Sequence, residues 1–397
     1  MRPPGPLAIT QHTLVSALGQ GRDATFDAMQ AGRTGLAPRG FETADIGAWL
    51  GVVDGIDTLD WRADLAAFDC RNNRLAELAL RADGFGDAVR RAAQRWGAHR
   101  VGVFLGTSTA GILQTELAYR RRDATTGALP ADLHYGETHN TYSVSRYVRA
   151  ALGLGGPAHV VSTACSSSAK VYATAERMIR LGLVDAAVVG GVDSLCLTTL
   201  YGFKALELTA TEICRPWDAQ RAGLSLGEAA ALALVERGSP APMGWLLGAG
   251  ESSDGHHMSS PHPEGAGAAL AMRAALAQAG LQPQQVDYLN LHGTGTPGND
   301  AAEDRAVGAV FGPSLPCSST KGFTGHTLGA AGGVEASIAL LALQHGLAPA
   351  GLNLQTQDPA LHAHILREPL RKTLSVVASN SFGFGGSNAC LVFGAAR

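Results

Sequence analysis

Cys165 has the sequence setting of a nucleophile. An apolar run at 158–161 leads through small residues to this cysteine, and a segment with the periodicity of an amphipathic helix follows at once. The start of a helix offers unpaired N–H groups and the positive end of the helix dipole, and both favour a thiolate. We therefore expect Cys165 to be more acidic than a free cysteine.

The other five cysteines lack this context. Their spacing is irregular and contains no C-x-x-C pair, so neither a zinc site nor a redox motif is indicated. A small buried apolar position is the ordinary role of a free cysteine, and we expect it for Cys70, Cys196, Cys214, Cys317 and Cys390.

Two histidines stand at glycine-rich turns beside helical patterns. His292 opens the segment 292–300, and His326 closes the segment 321–326. Such surroundings disfavour an imidazolium, and a neutral histidine can donate its N–H to a carbonyl oxygen that gains negative charge. Two such donors could hold an enolate while a cysteine carries an acyl group, which suits chemistry on a thioester.

Composition limits the class of protein. The chain has 397 residues, a net charge of −3 and 46% hydrophobic residues, as expected for a globular protein with a large core. It contains no basic block that would indicate nucleic acid, and no apolar stretch of about 18 residues that would span a membrane. Few cysteines and no signal-like N-terminus predict a cytoplasmic protein. Only 16% of residues are charged, which predicts surface buried between subunits of a homo-oligomer.

Strand-like runs alternate with helical patterns along the chain and indicate an α/β fold. The order of segments at 158–190 is echoed at 316–379, and 100–106 resembles 286–292. An ancient duplication would explain both similarities, although any alternating β and α chain can imitate a repeat.

The stretch Gly238–Met243 breaks the pattern and is the best boundary. It predicts a first half, 1–240, that carries the nucleophilic cysteine, and a second half, 243–397, that carries the two histidines.

Two other motif matches point to different activities. Gly293–Gly298 fits a dinucleotide-binding pattern, but no acidic residue follows at the expected offset. Gly223–Gly227 fits the elbow of α/β-hydrolases, but the next residues read as a buried strand instead of a helix.

Four motifs together resemble those of β-ketoacyl-acyl-carrier-protein synthases of the ketosynthase I/II type. They surround Cys165, begin at His292, run from Lys321 to His326 and span Asn380–Asn388, and the similarity covers almost the whole chain. The resemblance implies a thiolase-like fold, with two related α/β halves in five layers ordered αβαβα. It also implies an acyltransferase that joins an acyl group on Cys165 to malonyl-carrier protein with loss of CO2, and no metal or bound cofactor.

The resemblance assigns roles to further residues. His292 and His326 would support decarboxylation and stabilise the enolate, while Lys321 and Glu303 would hold His326 and the local charge network. These five positions form the predicted catalytic set, with Cys165 as nucleophile.

The same resemblance predicts the oxyanion hole and the substrate channel. Backbone N–H groups of Cys165 and Phe384 would form the oxyanion hole, and the Phe384 ring would gate the pocket between flanking glycines. Thr294 and Thr296 match residues that contact the phosphopantetheine arm. Thr109 stands where the family often has an aliphatic residue of the acyl channel, which suggests an unusual primer or a polyunsaturated chain.

The family implies acyl carrier protein as partner and a dimer, either of identical subunits or with a related subunit. Arg71, Arg74 and Arg81 are one possible basic face for the carrier protein, and solvated arginines are the equal alternative. The segments 69–74 and 191–201 are most similar to ketosynthases of aryl-polyene pathways.

Three related classes are alternatives. A chain-length factor shares the fold but generally lacks the nucleophile, which is present here. A degradative thiolase would use a second cysteine, for which Cys390 in an apolar run is the only nearby candidate. Another class of condensing enzyme would have asparagine in place of His326. The chain also departs from the usual pattern at Gln11-His12, where small turn residues are common.

Overall fold

The computed structural model of the protein describes residues 5–396. Residues 1–4 and 397, which belong to the two predicted halves, lie outside the described residues. Within 5–396, every helix is too short or too polar to cross a membrane.

The first half of the chain alternates strands and helices. Its strands are β1 (Leu7–Ser16), β2 (Gly19–Gln20), β3 (Ala37–Pro38), β4 (Trp49–Gly51), β5 (Val101–Gly106), β6 (Ala158–Val161), β7 (Ala186–Asp193), β8 (Leu226–Gly227) and β9 (Ala229–Glu236). Its helices are α1 (Arg22–Gln30), α2 (Arg71–Arg81), α3 (Phe85–Trp96), α4 (Ile112–Arg120), α5 (Ser143–Ala151), α6 (Ser167–Arg180) and α7 (Leu197–Ala205).

The second half begins after a loop that includes residues 238–243. Its strands are β10 (Gly244–Ser253), β11 (Tyr288–Leu291), β12 (Pro316–Ser319), β13 (Leu347–Ala348), β14 (His364–Ile365), β15 (Leu370–Arg371), β16 (Val376–Gly383) and β17 (Ser387–Ala395). Its helices are α8 (Ala266–Ala279), α9 (Pro297–Phe311), α10 (Lys321–Thr324) and α11 (Ala331–His345).

One continuous sheet runs through the molecule, and the halves meet in it at the antiparallel pair β1–β10. From β1 outward the order is β9, β7, β5, β6, and from β10 outward it is β17, β16, β11, β12. On both sides the first two pairings are antiparallel and the next two are parallel. The positions of β5, β6 and β7 therefore correspond to those of β11, β12 and β16, which are the segments whose similarity the sequence indicated.

Helices form three layers around the two halves of this sheet. Helices α2, α3 and α5 pack on the outer face of the first half, and α8 and α9 pack on the outer face of the second. Helices α6 and α11 lie between the two half-sheets and share one hydrophobic core with both. The predicted five-layer αβαβα arrangement is confirmed.

The central helices contact each other closely because their facing residues are small. Residues 331 to 343 of α11 are all buried, as expected for a helix that is covered on every side. A Cβ atom on Gly332 would lie 2.7 Å from the Cβ of Ala169 on α6, so only glycine fits there. This contact brings together the beginnings of α6 and α11, where Cys165 and His326 lie.

The segment after Gly223–Gly227 is strand β9, and all its residues are buried. The strand-turn-helix arrangement that a hydrolase elbow requires is therefore absent at this position.

His12 on β1 is an ionisable group inside the core. It is fully buried, its Nε2 lies 3.3 Å from Nε2 of Gln344, and its Nδ1 has no partner among the described residues. Burial and the nearby charge of Arg22 lower the pKa of His12 to about 3.

We expect His12 to make the fold sensitive to acid. Its pKa is about 3 in the folded protein against 6.5 for an ordinary histidine, so its contribution to stability is present above pH 6.5 and is lost as the pH falls towards 3. The free energy of unfolding of the wild type, relative to His12→Leu, should decrease by about 2 kcal/mol between pH 7 and pH 5. Urea unfolding of both proteins at both pH values measures this. A difference that stays constant with pH would contradict the expectation.

Candidate active site

Cys165 lies in a tight turn between β6 and α6. Ala164 before it has a φ of 52°, an uncommon conformation for a residue with a side chain. The hydroxyls of Ser166 and Ser167 close the turn by donating to the carbonyls of Thr163 (2.9 Å) and Ala164 (2.5 Å). Cys165 is only 5% exposed, and its sulfur has a fixed direction towards an internal cavity.

His326 contacts this sulfur directly. Its Nε2 lies 3.0 Å from Sγ of Cys165, within hydrogen-bond distance. Its backbone is held from both sides, because its N–H donates to the carbonyl of Ser225 (2.7 Å) and its carbonyl accepts from the N–H of Gly227 (3.0 Å). The imidazole can therefore accept the proton of the thiol without rearrangement of the main chain.

His292 follows the end of β11 and faces the same cavity. Its ring centre lies 5.3 Å from that of His326, and the two rings are nearly perpendicular, at 86°. Both histidines are buried, and burial together with the positive charge of Lys321 lowers the pKa of each well below the usual value. Both are neutral near pH 7, as the sequence predicted.

Lys321 supports His292 and not His326. The ammonium group of Lys321 donates to the carbonyl oxygen of His292 and lies 3.4 Å from its Nδ1. It also forms a buried ion pair with Glu335. The prediction that Lys321 holds His326 is therefore wrong, because α10 directs its first side chain to the end of β11.

Glu303 also supports His292. Its carboxylate accepts the N–H groups of His292 (2.8 Å) and Gly293 (2.7 Å) and the side-chain amide of Asn380 (3.0 Å). The prediction that Glu303 holds His326 is wrong, because α9 folds back beneath the turn from which it starts and so places this carboxylate next to His292. Burial raises the pKa of Glu303 to about 7, and these three donors oppose that rise.

Glu335 is a member of the charge network that sequence reasoning missed. It lies on α11, is 2% exposed and pairs with Lys321. Burial raises its pKa to about 7, while Lys321 opposes that rise. The signal was present in the sequence, since Glu335 is the only acidic residue in a helix that is otherwise almost entirely apolar. Charged groups are rarely buried without a partner, so a cation should have been expected beside it.

The thiol of Cys165 is not acidic in this environment. Burial raises its pKa to about 12 and outweighs the opposing effects of the Lys321 charge and of the Phe384 N–H beside the sulfur. The prediction of an acidified thiol is wrong because the loss of water around the sulfur exceeds the benefit of the helix start. Activation depends instead on the neutral imidazole of His326.

The cavity that joins these groups has a volume of about 330 Å³. Thr294 and Thr296, predicted to contact the phosphopantetheine arm, both line it, and their hydroxyl oxygens lie 2.9 Å apart. Phe203, Leu208 and Leu224 add an apolar wall. The cavity therefore combines an apolar surface with a polar wall that contains both histidines.

Phe384 occupies the position predicted for a gate. Its ring lines the cavity, with its centre 5.6 Å from that of Phe203. Gly385 and Gly386 follow it with φ values of 81° and 73°, a conformation that glycine adopts without strain. The backbone N–H of Phe384 lowers the pKa of the Cys165 thiol, and its place in an oxyanion hole stays a prediction.

Thr109 does not line the described cavity. It is buried, and its hydroxyl and backbone N–H both donate to Asp193, at 2.8 Å and 2.9 Å. The place of Thr109 on an acyl channel stays a prediction, and what the structure describes is its bonds to Asp193.

Comparison with known families identifies the protein class. Residues 6–241 match the family model of the beta-ketoacyl synthase N-terminal domain, and residues 243–355 match that of the C-terminal domain. The chain belongs to the beta-ketoacyl synthase family. It is an acyltransferase of the 3-oxoacyl-acyl-carrier-protein synthase class, which carries out decarboxylative Claisen condensation.

Individual relatives agree with this assignment. The chain is 31% identical to 3-oxoacyl-[acyl-carrier-protein] synthase 2 of Vibrio cholerae over 98% of both proteins. It is 40% identical to the mitochondrial 3-oxoacyl-[acyl-carrier-protein] synthase of Arabidopsis thaliana over 63% of this chain and 59% of that protein. Among solved structures, it resembles a chain in the complex of the ketosynthase ApeO with its chain length factor ApeC from Xenorhabdus doucetiae. That likeness has a TM-score of 0.90 and 37% identity over 98% of both chains. The predicted thiolase-like fold is confirmed.

The three arginines named as one possible docking face for carrier protein, with solvated arginines as the equal alternative, are each paired with a carboxylate. One of them is buried, and the docking site stays a prediction. The pairs are Arg71 with Glu228 (2.6 Å), Arg74 with Asp69 (2.5 Å) and Arg81 with Glu77 (2.8 Å).

We expect the two members of the buried ion pair to affect Cys165 in opposite directions. The positive charge of Lys321 lowers the pKa of the thiol, and the negative charge of Glu335 raises it. At pH 8, iodoacetamide should therefore alkylate Cys165 about three- to tenfold more slowly in Lys321→Met and faster by a similar factor in Glu335→Gln. Intact mass against time measures both rates, with Cys165→Ala as the control for other cysteines. Changes of the same sign in both variants would contradict this electrostatic account.

Proposed function

We propose that Cys165 carries the growing acyl chain and that His292 and His326 act on the incoming malonyl thioester. The observation that carries this proposal is the distance of 3.0 Å between Sγ of Cys165 and Nε2 of His326, with His292 beside them on one cavity wall. The half 1–240 supplies the nucleophile and the half 243–397 supplies both histidines. The reaction centre therefore lies where the halves meet.

In the first step, the acyl thioester of a carrier protein enters the cavity and Sγ of Cys165 attacks its carbonyl carbon. The thiol proton moves to Nε2 of His326 as the new C–S bond forms. The N–H groups of Cys165 and Phe384 stabilise the oxyanion. The bond to the carrier sulfur then breaks, and that sulfur leaves with the proton from His326.

In the second step, malonyl-carrier protein occupies the emptied cavity with its thioester oxygen between His292 and His326. Lys321 donates towards Nδ1 of His292, which leaves its Nε2 to carry the hydrogen that faces the substrate. His326 leaves the first step neutral, with its hydrogen on Nδ1, which has no partner within residues 5–396. It can donate from Nε2 once Nε2 has gained a proton and Nδ1 has released one. The two donors stabilise the enolate that forms as CO2 departs.

In the third step, the enolate carbon attacks the carbonyl carbon of the acyl-cysteine. A C–C bond forms, the C–S bond to Cys165 breaks, and the thiolate takes up one proton. The products are CO2 and a β-ketoacyl thioester two carbons longer on the carrier protein. Thr294 and Thr296 line the route of the phosphopantetheine arm, and Phe384 closes over the acyl chain.

The proposal includes a dimer that forms through strand β6. This strand is the last in the sheet, pairs only with β5 among the described strands, and has four half-buried residues. An open sheet edge is a ready surface for a second strand. The carbonyl of Pro157 accepts the N–H of Val103 in β5, and the carbonyl of Val161 accepts that of Thr107 just after β5. Because successive residues of a strand alternate in direction, the main-chain groups of Val160 face outward.

The partner at this edge is a second copy or a related subunit. The similar structure from Xenorhabdus doucetiae is a ketosynthase in complex with its chain length factor, which supports an unequal pair. The resemblance of 69–74 and 191–201 to aryl-polyene ketosynthases remains a prediction about the pathway.

Acyl transfer tests the role of Cys165. We expect wild type incubated with acyl-carrier proteins to gain the mass of one acyl group, which malonyl-carrier protein then discharges to a β-keto product, and we expect Cys165→Ala to gain none. Intact mass spectrometry records both steps. If wild type gains no acyl group from any donor, alone or with a candidate partner subunit, the chain is a non-catalytic subunit of the chain-length-factor kind.

Two single variants distinguish the roles of the two histidines. His292→Ala should accept the acyl group at a normal rate but discharge it at least about 100-fold more slowly, since one oxyanion donor is lost. His326→Ala should slow both steps, because it also loses the base. Equal effects of the two variants on acyl transfer would contradict the separate roles.

A proline on the edge strand tests the dimer. Val160→Pro removes one outward N–H, and proline is tolerated on an edge strand when that group faces away from the sheet. We expect Val160→Pro to lower the assembled mass measured by light scattering, alone or with its partner subunit, while Val160→Thr keeps it. An assembled mass equal to wild type in Val160→Pro would exclude β6 as the interface.

A further inference from the structure

Asp193 is a buried carboxylate at the end of β7, beneath the turns that carry the active site. It is fully buried and forms no ion pair within residues 5–396. It does not line the cavity, and it is separate from the Lys321–Glu335 pair. A buried acid without a cation must be stabilised by hydrogen bonds.

One oxygen of Asp193 accepts four hydrogen bonds from the turn that follows β5. It accepts the backbone N–H groups of Ser108 (2.8 Å) and Thr109 (2.9 Å). It also accepts the hydroxyls of Thr107 (2.6 Å) and Thr109 (2.8 Å). Burial raises the pKa of Asp193, and these donors oppose that rise.

Both threonine hydroxyls are oriented towards the carboxylate. The oxygen of Thr107 accepts the N–H of Ala110 (3.1 Å), and the oxygen of Thr109 accepts the N–H of Ser194 (3.2 Å). Each hydroxyl therefore uses its hydrogen for Asp193. This arrangement suits an anion.

The second oxygen of Asp193 reaches the segment after His326. It accepts the N–H of Gly329 at 2.5 Å, and Leu328 before it has a φ of 53°. A Cβ atom on Gly329 would lie 2.7 Å from this oxygen and 2.7 Å from Oγ of Ser108. The segment is thus fixed closely against the turn after β5.

The turn after β5 also contacts the Cys165 turn. Oγ of Ser108 donates to the carbonyl of Ala164 (3.3 Å), and the N–H of Thr107 donates to the carbonyl of Val161 (3.3 Å). The carboxylate is therefore linked to the segments on both sides of the reacting pair.

We propose that Asp193 is a positioning residue for the condensation, which fixes the distance between the sulfur of Cys165 and the imidazole of His326. It does so by tying the turn 107–109, which supports the Cys165 turn, to Gly329, three residues after His326. Thr109 belongs to this anchor. The inference rests on the proposed roles of Cys165 and His326. A displacement of about 1 Å between reacting groups can cost about 100-fold in rate.

The charge of Asp193 gives the proposal a distinctive test. Its negative charge raises the pKa of the Cys165 thiol. Removal of the charge makes the thiol easier to ionise, while loss of the hydrogen bonds displaces it from His326. A structural opening of the site would also expose the thiol and speed its alkylation, so the comparison with a variant that disturbs the same anchor but keeps the charge decides between the two explanations.

Asp193→Asn is the main variant, because it keeps the shape and removes the charge. Its amide retains one acceptor oxygen, and its NH2 group cannot accept the N–H of Gly329. We expect kcat for condensation to fall about 100-fold with KM for malonyl-carrier protein little changed. We expect the pH profile of Cys165 alkylation by iodoacetamide to move to lower pH.

Thr109→Val is the matched control, because it removes one hydroxyl donor and leaves the charge. We expect kcat to fall about three- to tenfold with the alkylation profile unmoved. If Asp193→Asn does not fold, Thr109→Val and Ser108→Ala provide the test. Both must then lower kcat for condensation while the pH profile of Cys165 alkylation stays unchanged.

A wild-type kcat in these variants, or a loss of kcat in Asp193→Asn without the shift of the alkylation profile, would overturn the role of Asp193. The two proposals fail differently. If wild type acquires no acyl group, the proposed function fails, whereas an active wild type matched by Asp193→Asn refutes only the inference about Asp193.

Discussion

The contact between α6 and α11 is the constraint on which the site depends. Each helix is covered by a half-sheet on one side and by the other helix on the other, and the contact requires small residues such as Gly332 and Ala169. Oγ of Ser168 accepts the N–H of Gly333 at 2.8 Å, which fixes the helices along their axes. Because the two reacting side chains stand just before these helices, core packing sets the overall distance between them, and the hydrogen-bonded turns between strand and helix complete their alignment.

The same packing excludes water and so sets the electrostatics of the site. Burial raises the pKa of the thiol and lowers the pKa of both histidines, which moves all three groups towards their neutral forms. Lys321 and Glu335 form an ion pair in the same buried region, and the contact with Lys321 opposes the rise that burial causes in the pKa of Glu335. The chemistry therefore depends on a short proton transfer between aligned neutral groups, and the ion pair orients His292 from behind.

Much of this arrangement could be predicted from the sequence because the motifs mark strand ends and helix starts. Parallel strands of one half-sheet end on the same edge, so His292 and His326, which follow β11 and β12, had to lie near one another once the order of segments was known. That Cys165 joins them depends on the packing of α6 against α11. The errors concern properties that depend on neighbours distant in the chain. The acidity of the thiol depends on how much water is excluded, and the true partner of Lys321 depends on where α10 points. Thr109 could not be placed without Asp193, which lies 84 residues away in the chain.

The turn at Cys165 is stabilised by bonds that its own side chain does not make. Serine hydroxyls and main-chain groups hold the turn, and the thiol contributes a single contact with His326. Reactivity at this position is therefore separable from folding. After gene duplication, one codon change could silence one copy, which would still fold and would keep the sheet edge proposed as the contact with its active sibling. A dimer of unequal subunits could in this way arise from a dimer of equal subunits by a small change in sequence.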